Sequence, residues 1–90
     1  MGGKAWNELT VWALRTLGRS EYELTSVAKS ESWKVAVALF LKKRSQASNP
    51  WLARRLEFGR AKYVSRLVTA RPQRPEALAL AEVLSGKWAT

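Results

Sequence analysis

"WLARRLEFGRAKYVSRLV", residues 51–68, decides how this chain is read. Apolar residues recur at helical spacing, Phe58-Gly59 interrupts them, and the same spacing then resumes. Four arginines and one lysine fill the positions between. Such a pattern is either a solvated helix hairpin or a helix-turn-helix that reads DNA.

The flanks set its limits. Asn49 suits an N-cap and Pro50 the first helical position, which predicts a helix over 50–57. Leu52, Ala53 and Leu56 share its inner face, and the small Ala53 lets a following helix cross closely. Phe58 plugs the turn and Gly59 supplies the permissive backbone. A second helix is expected over 60–70, with Val64, Leu67 and Val68 inward. Pro72 disfavours helix at Arg71 and ends it, so the helix-turn-helix covers about 49–70. Pro75 opens a last helix over 75–86, stopped by Gly86.

Upstream, Trp6, Leu9, Ala13 and Leu17 form the stripe of a first helix, and Gly18 is its natural stop. Ser20 with Glu23 three residues on is a capping box, so a short helix should run to about Val27. Ser32 is expected to cap a third. Val35, Val37, Leu39 and Leu41 alternate like a strand, but the basic tail ending at Arg44 favours a helix C-terminus. Because "VAVALFL" is apolar on every side, that helix belongs at the centre. The fold expected is all-α: one compact domain of five to six helices.

Composition narrows function. The chain has no cysteine, histidine or aspartate, which removes thiolate and imidazole metal ligands and the usual general base. No metal, cofactor or catalytic residue is therefore expected, and the chain does not read as an enzyme. Tyr22 and Tyr63 lack the activation a nucleophile on DNA needs. Tyr22 is expected to pack beside the second helix. "GKW" near the end is no phosphate loop, having no glycine-rich run before it. The longest apolar run is too short to span a bilayer. A Met start without a signal peptide reads as intracellular, hence cytoplasmic.

Charge points to a partner. Residues 1–41 carry five basic and four acidic side chains, 42–74 ten and one, and 75–90 one and two, so segment charges of +1, +9 and −1 sum to +9. A solubilising face is the plain reading of such a cluster. Its one-sided sign favours a polyanion instead. Double-stranded DNA fits the pattern. On the second helix of the pair, Lys62, Arg66 and Thr69 point outward, flanked by Ser65 and Tyr63, with Arg60 at the entrance. These are the candidate base-reading side chains, and Arg66 suits a guanine. Asn49, Trp51, Arg54 and Arg55 on the preceding helix suit the phosphate backbone, together with Lys42, Lys43, Arg44, Arg71 and Arg74 nearby. Trp6, Trp12 and Trp33 read as core, and Trp88 as part of a frayed tail.

A longer stretch carries a resemblance. Leu17-Gly18-Arg19-Ser20-Glu21, Lys34-Val35-Ala36, Leu39, Trp51-Leu52-Ala53-Arg54-Arg55-Leu56, Phe58-Gly59 and Val64-Ser65 follow one another in the order and spacing of a known pattern. Over about residues 14–68 the chain resembles the C-terminal helical region of REP-associated tyrosine transposases. The resemblance implies a helix-turn-helix tail for DNA at transposon or repeat ends, in a nucleoid-associated protein or small transcription regulator. That family's paired histidines and nucleophilic tyrosine lie outside the matched region, so transposase activity is not implied. Two other function classes compete. One is a structural or protein-interaction domain, as a homodimer or with a larger partner, using Leu78, Ala81 and Leu84 of the last helix. The other is RNA binding, for which the basic helices suffice but no module signature is present.

Overall fold

The computed structural model describes residues 2–89. Among them are six helices and no strand: α1 (Gly2–Thr16), α2 (Glu21–Ser26), α3 (Ser32–Ser45), α4 (Asn49–Arg55), α5 (Ala61–Thr69) and α6 (Pro75–Ala89). The all-α class expected from the sequence is the observed one.

The helix ends show why the chain breaks where it does. At the end of α1, Gly18 takes φ +70°, the Gly18 amide donates to the Arg15 carbonyl and the Arg19 amide to the Leu14 carbonyl at 2.8 Å. This is a Schellman stop with glycine in the left-handed position. The capping box forms as spaced: the Ser20 amide donates to Glu23 Oε1 at 2.8 Å, and the Glu23 amide to Ser20 Oγ at 3.4 Å. Three expected ends move. Ser32 does not cap α3; Glu31 holds that position without a side-chain bond, and the Ser32 hydroxyl donates to Glu76 Oε1 across to α6. Ser48, not Asn49, caps α4, its hydroxyl accepting from the Trp51 amide. Gly86 does not stop α6. An interior glycine costs only about 1 kcal/mol, and the extra turn brings Trp88 edge-on to Trp12 at 5.1 Å between ring centroids. Trp88 is 43% exposed yet held in this contact rather than frayed.

Helix α3 is the centre of the domain. Residues 33–38, with Phe40 and Leu41, are buried, and α1, α5 and α6 all contact this helix. Ala13, Leu14, Leu52, Leu56, Phe58, Val64 and Leu84 close the core around it. Of the three tryptophans assigned to the core, Trp33 is buried, while Trp6 and Trp12 are half-buried against it. Tyr22 is the reverse case. It is 74% exposed and packs against nothing substantial.

The α4–α5 turn repeats the stop of α1 with a less suitable residue. The Phe58 amide donates to the Ala53 carbonyl at 2.9 Å and the Glu57 amide to the Arg54 carbonyl at 3.4 Å. Glu57 therefore holds the left-handed position, at φ +60°. That conformation costs a residue with a Cβ roughly 1–2 kcal/mol. The greater freedom of glycine when unfolded offsets part of the gain from replacing it. Glu57→Gly should thus stabilise the domain by about 0.5–1 kcal/mol, raising the melting temperature by several degrees; an unchanged or lower midpoint in thermal denaturation would contradict this account.

Candidate nucleic-acid interface

The α4–α5 pair is built from the inside out. Leu52, Ala53, Leu56, Phe58 and Val64 are buried, and Leu67 and Val68 are half-buried against the same core. This inward stripe leaves Lys62, Arg66 and Thr69 exposed on the opposite side of α5, with Ser65 half-exposed beside them. Arg60 is the exposed N-cap residue of α5, and Arg54 is exposed on α4. Among the described residues no carboxylate lies within ion-pair distance of Arg54, Arg60, Lys62 or Arg66. The Thr69 hydroxyl donates back to the Ser65 carbonyl at 2.6 Å, which leaves its oxygen free to accept.

Other candidate residues are committed inside the molecule. Tyr63 turns inward, its ring 6.3 Å from that of Phe58, because it follows the buried stripe rather than the outer face. Trp51 is half-buried and stands edge-on to Trp6 at 5.5 Å, locking α4 to α1. Asn49 is half-buried, and its Oδ1 has no hydrogen-bond partner. Arg55 reaches Glu21 with both terminal nitrogens at 2.8 Å and Asn7 at 2.7 Å, so it ties α4 to α2 and α1. Arg74 donates to the Ser30 carbonyl, and Arg71 to the carbonyl of Ala70. Lys43 and Arg44 are exposed at the end of α3, whereas Lys42 is half-buried beside α6.

Two lysines lie close to the turn. Lys29, from the loop after α2, has its Nζ 5.8 Å from the Tyr63 ring centroid and next to Gly59. It adds a cation to the turn that the middle-third count misses, because it is distant in sequence. Lys34, just before the apolar run of α3, is fully buried. Its Nζ donates to the Leu24 carbonyl at 2.7 Å and the Glu57 carbonyl at 3.3 Å, under the Phe58 ring at 5.1 Å. One ammonium thereby satisfies carbonyls at the end of α2 and in the α4–α5 turn. Burial pushes the Lys34 ammonium below the usual lysine range; Glu57 opposes that shift and Lys29 adds to it.

The Arg55–Glu21 tie gives an acid-sensitive support to α4. The hydrogen bond from Arg55 holds the Glu21 carboxyl below its ordinary value of 4.5. The unfolded chain therefore binds the proton more readily. Stability from this pair is complete above about pH 5 and is lost as pH falls through the lower folded value. Glu21 is 60% exposed, so solvent screening limits the pair to below about 1 kcal/mol. Glu21→Gln should lower the melting temperature slightly at neutral pH and flatten its fall between pH 5 and 3, which a series of thermal melts will read.

Among the described residues no group of three metal-binding side chains is found, and no helix is long and apolar enough to cross a membrane. Comparison of the chain with protein-family models, curated proteins and solved structures returned no match, so this surface stands on its own geometry and charge.

Proposed function

We propose that this chain binds double-stranded DNA and does no chemistry on it, with α5 entering the major groove and α4 lying across the backbone. The observation that carries the reading is the outer face of α5. Lys62 and Arg66 are exposed and unpaired, on a helix whose other side is fixed to the core. With its side chains a helix is about 10–12 Å across, and a major groove about 12 Å wide admits it; the nine-residue α5 would lie along it for about 13 Å. Arg66 is the base-reading candidate. Arg54, Arg60 and Lys29 are the phosphate contacts. The sequence resemblance extends the reading to repeat or transposon ends, in a nucleoid-associated module or small transcription regulator of the cytoplasm.

Duplex binding should weaken steeply with salt. Neutralising about six phosphates gives a log–log slope near −5. Arg66→Ala should cost about 1–3 kcal/mol at the preferred site, found by selection from a random duplex pool, and relax one base position. Arg54→Ala should weaken all duplexes about equally. Equal behaviour of the two mutants overturns the division of roles. A flat salt response, or a preference for structured RNA, overturns the reading itself.

A further inference from the structure

The basic surface leaves one apolar face of the domain unexplained. A groove of about 420 Å³ runs between the end of α3 and α6, closed at one end by Val68 and Thr69 of α5. Leu39 is the one residue of the central apolar run that the core does not bury, and it lines this groove. Leu78 lines it from α6 and is 43% exposed. Of the four large hydrophobic side chains exposed among the described residues, Leu78 is the one that lines the groove.

We propose that this groove is the contact between two copies of the chain, related by a twofold axis. The charges select the occupant. Lys42 and Lys43 stand on the α3 bank and Glu82 on the α6 bank, with apolar residues between. An acidic helix laid in the groove would meet Glu82, and a basic one would meet the lysines. A second copy related by a twofold that runs along the groove sets its lysines against Glu82 and its Glu82 against the lysines, and brings the two apolar linings, Leu78 included, together. Stable interfaces bury roughly 800 Å² per partner, about a seventh of the 5426 Å² surface of this domain. A contact of that size takes in the exposed side of the 15-residue α6, about 22 Å long, together with the parts of α3 and α5 that line the groove. The contact does not depend on DNA and is measured without it.

The test is the mass of the purified chain by sedimentation equilibrium over a concentration series at moderate salt, which screens the repulsion between two copies of charge +9, with circular dichroism as a check of folding. The parent should pass from monomer to dimer as its concentration rises. Leu78→Glu should weaken association by about tenfold or more. Glu82→Lys makes both banks positive, and Lys42→Glu with Lys43→Glu makes both negative, so each variant alone should be monomeric. Mixed, they should form a one-to-one dimer, which repair within a single chain cannot produce. A parent that stays monomeric at the highest soluble concentration overturns the proposal. So does a dimer that survives Leu78→Glu, or a mixture of the two charge variants that remains monomeric.

Discussion

Lys34→Ala is expected to destabilise the domain by about 3 kcal/mol, lowering the melting temperature by on the order of 15 °C. The side chain is fully buried, so truncation leaves a cavity where its methylenes packed. It also strips the Leu24 and Glu57 carbonyls of their shared donor. A buried acceptor left unpaired costs about 1–3 kcal/mol. Relief of the ammonium's desolvation returns part of this. Lys34→Met separates the contributions, because it keeps the volume and removes the charge. It should lose less, about 1–2 kcal/mol. The pH dependence has a definite sign. Burial sets the folded value below the ordinary 10.5, so the unfolded chain holds the proton more firmly between the two. Stability from this group rises as pH climbs towards 10.5 and is lost as pH falls through the folded value. The methionine variant should lack that component. If thermal melts of the alanine variant match the parent, the ammonium is not what joins α2 to the turn.

Gly59→Val should abolish site-specific duplex binding while leaving most of the salt-sensitive, sequence-independent binding. Gly59 adopts φ +92°, beyond the small left-handed region open to residues with a Cβ. A Cβ there would lie 3.0 Å from Lys29 Nζ, a flexible neighbour, so the backbone supplies most of the cost. A left-handed conformation costs an ordinary residue about 1–2 kcal/mol, and a β-branched side chain at this φ sits at the upper end. The Gly59 and Phe58 amides both bond to the Ala53 carbonyl, so relaxing the turn loosens the hinge that sets α5 against α4. Lys62 and Arg66 keep their charge and lose their alignment. Melting should fall by on the order of 10 °C, with Gly59→Ala intermediate. Competition between the preferred duplex and random duplex, measured well below the melting temperature, reads the change in discrimination. Parental discrimination in the valine variant would remove Gly59 as the pivot.

Much of this architecture was legible because local rules agreed. Gly18 after the last apolar residue and Ser20 three before Glu23 each point to one arrangement, and the basic tail ending at Arg44 decides for helix where "VAVALFL" alone reads either way; the structure adopts all three. Legibility ended where a side chain is satisfied by something remote. Nothing near Lys34 in sequence reveals the two carbonyls, ten and 23 residues away, that draw its ammonium inward. Arg55 reads as a phosphate contact until Glu21, 34 residues off, claims it. Tyr63 sits one residue before Val64 and could be given to either face; the Phe58 ring decides for the inside. The turn was assigned a single strained step at Gly59, whereas the chain takes two, at Glu57 and Gly59. A glutamate carries no sign of left-handed backbone, because that conformation is imposed by the Ala53 carbonyl bonds. Of the proposed contact surface, the outward side of α5 could be read from its period. The intramolecular partners of Trp51, Arg55 and Arg74 could not.

The central position of α3 governs how the molecule comes apart. A helix apolar on all sides has no face that water can wet cheaply, and here α1, α5 and α6 each shield a different one. Peeling away any of the three exposes α3 and removes its support, so partial opening of the core gains little chain entropy for the apolar surface it uncovers. Unfolding should therefore be a single cooperative event for these four helices, with amide exchange in α3 occurring only through the fully unfolded state. The short α2 has a single buried apolar residue, Leu24, and is held to this unit by the Lys34 bond to the Leu24 carbonyl and by the Arg55–Glu21 pair, so these ties set the cost of its opening. The frame carrying Arg66 is thus held in an all-or-none manner: α5 keeps its orientation until the whole domain melts.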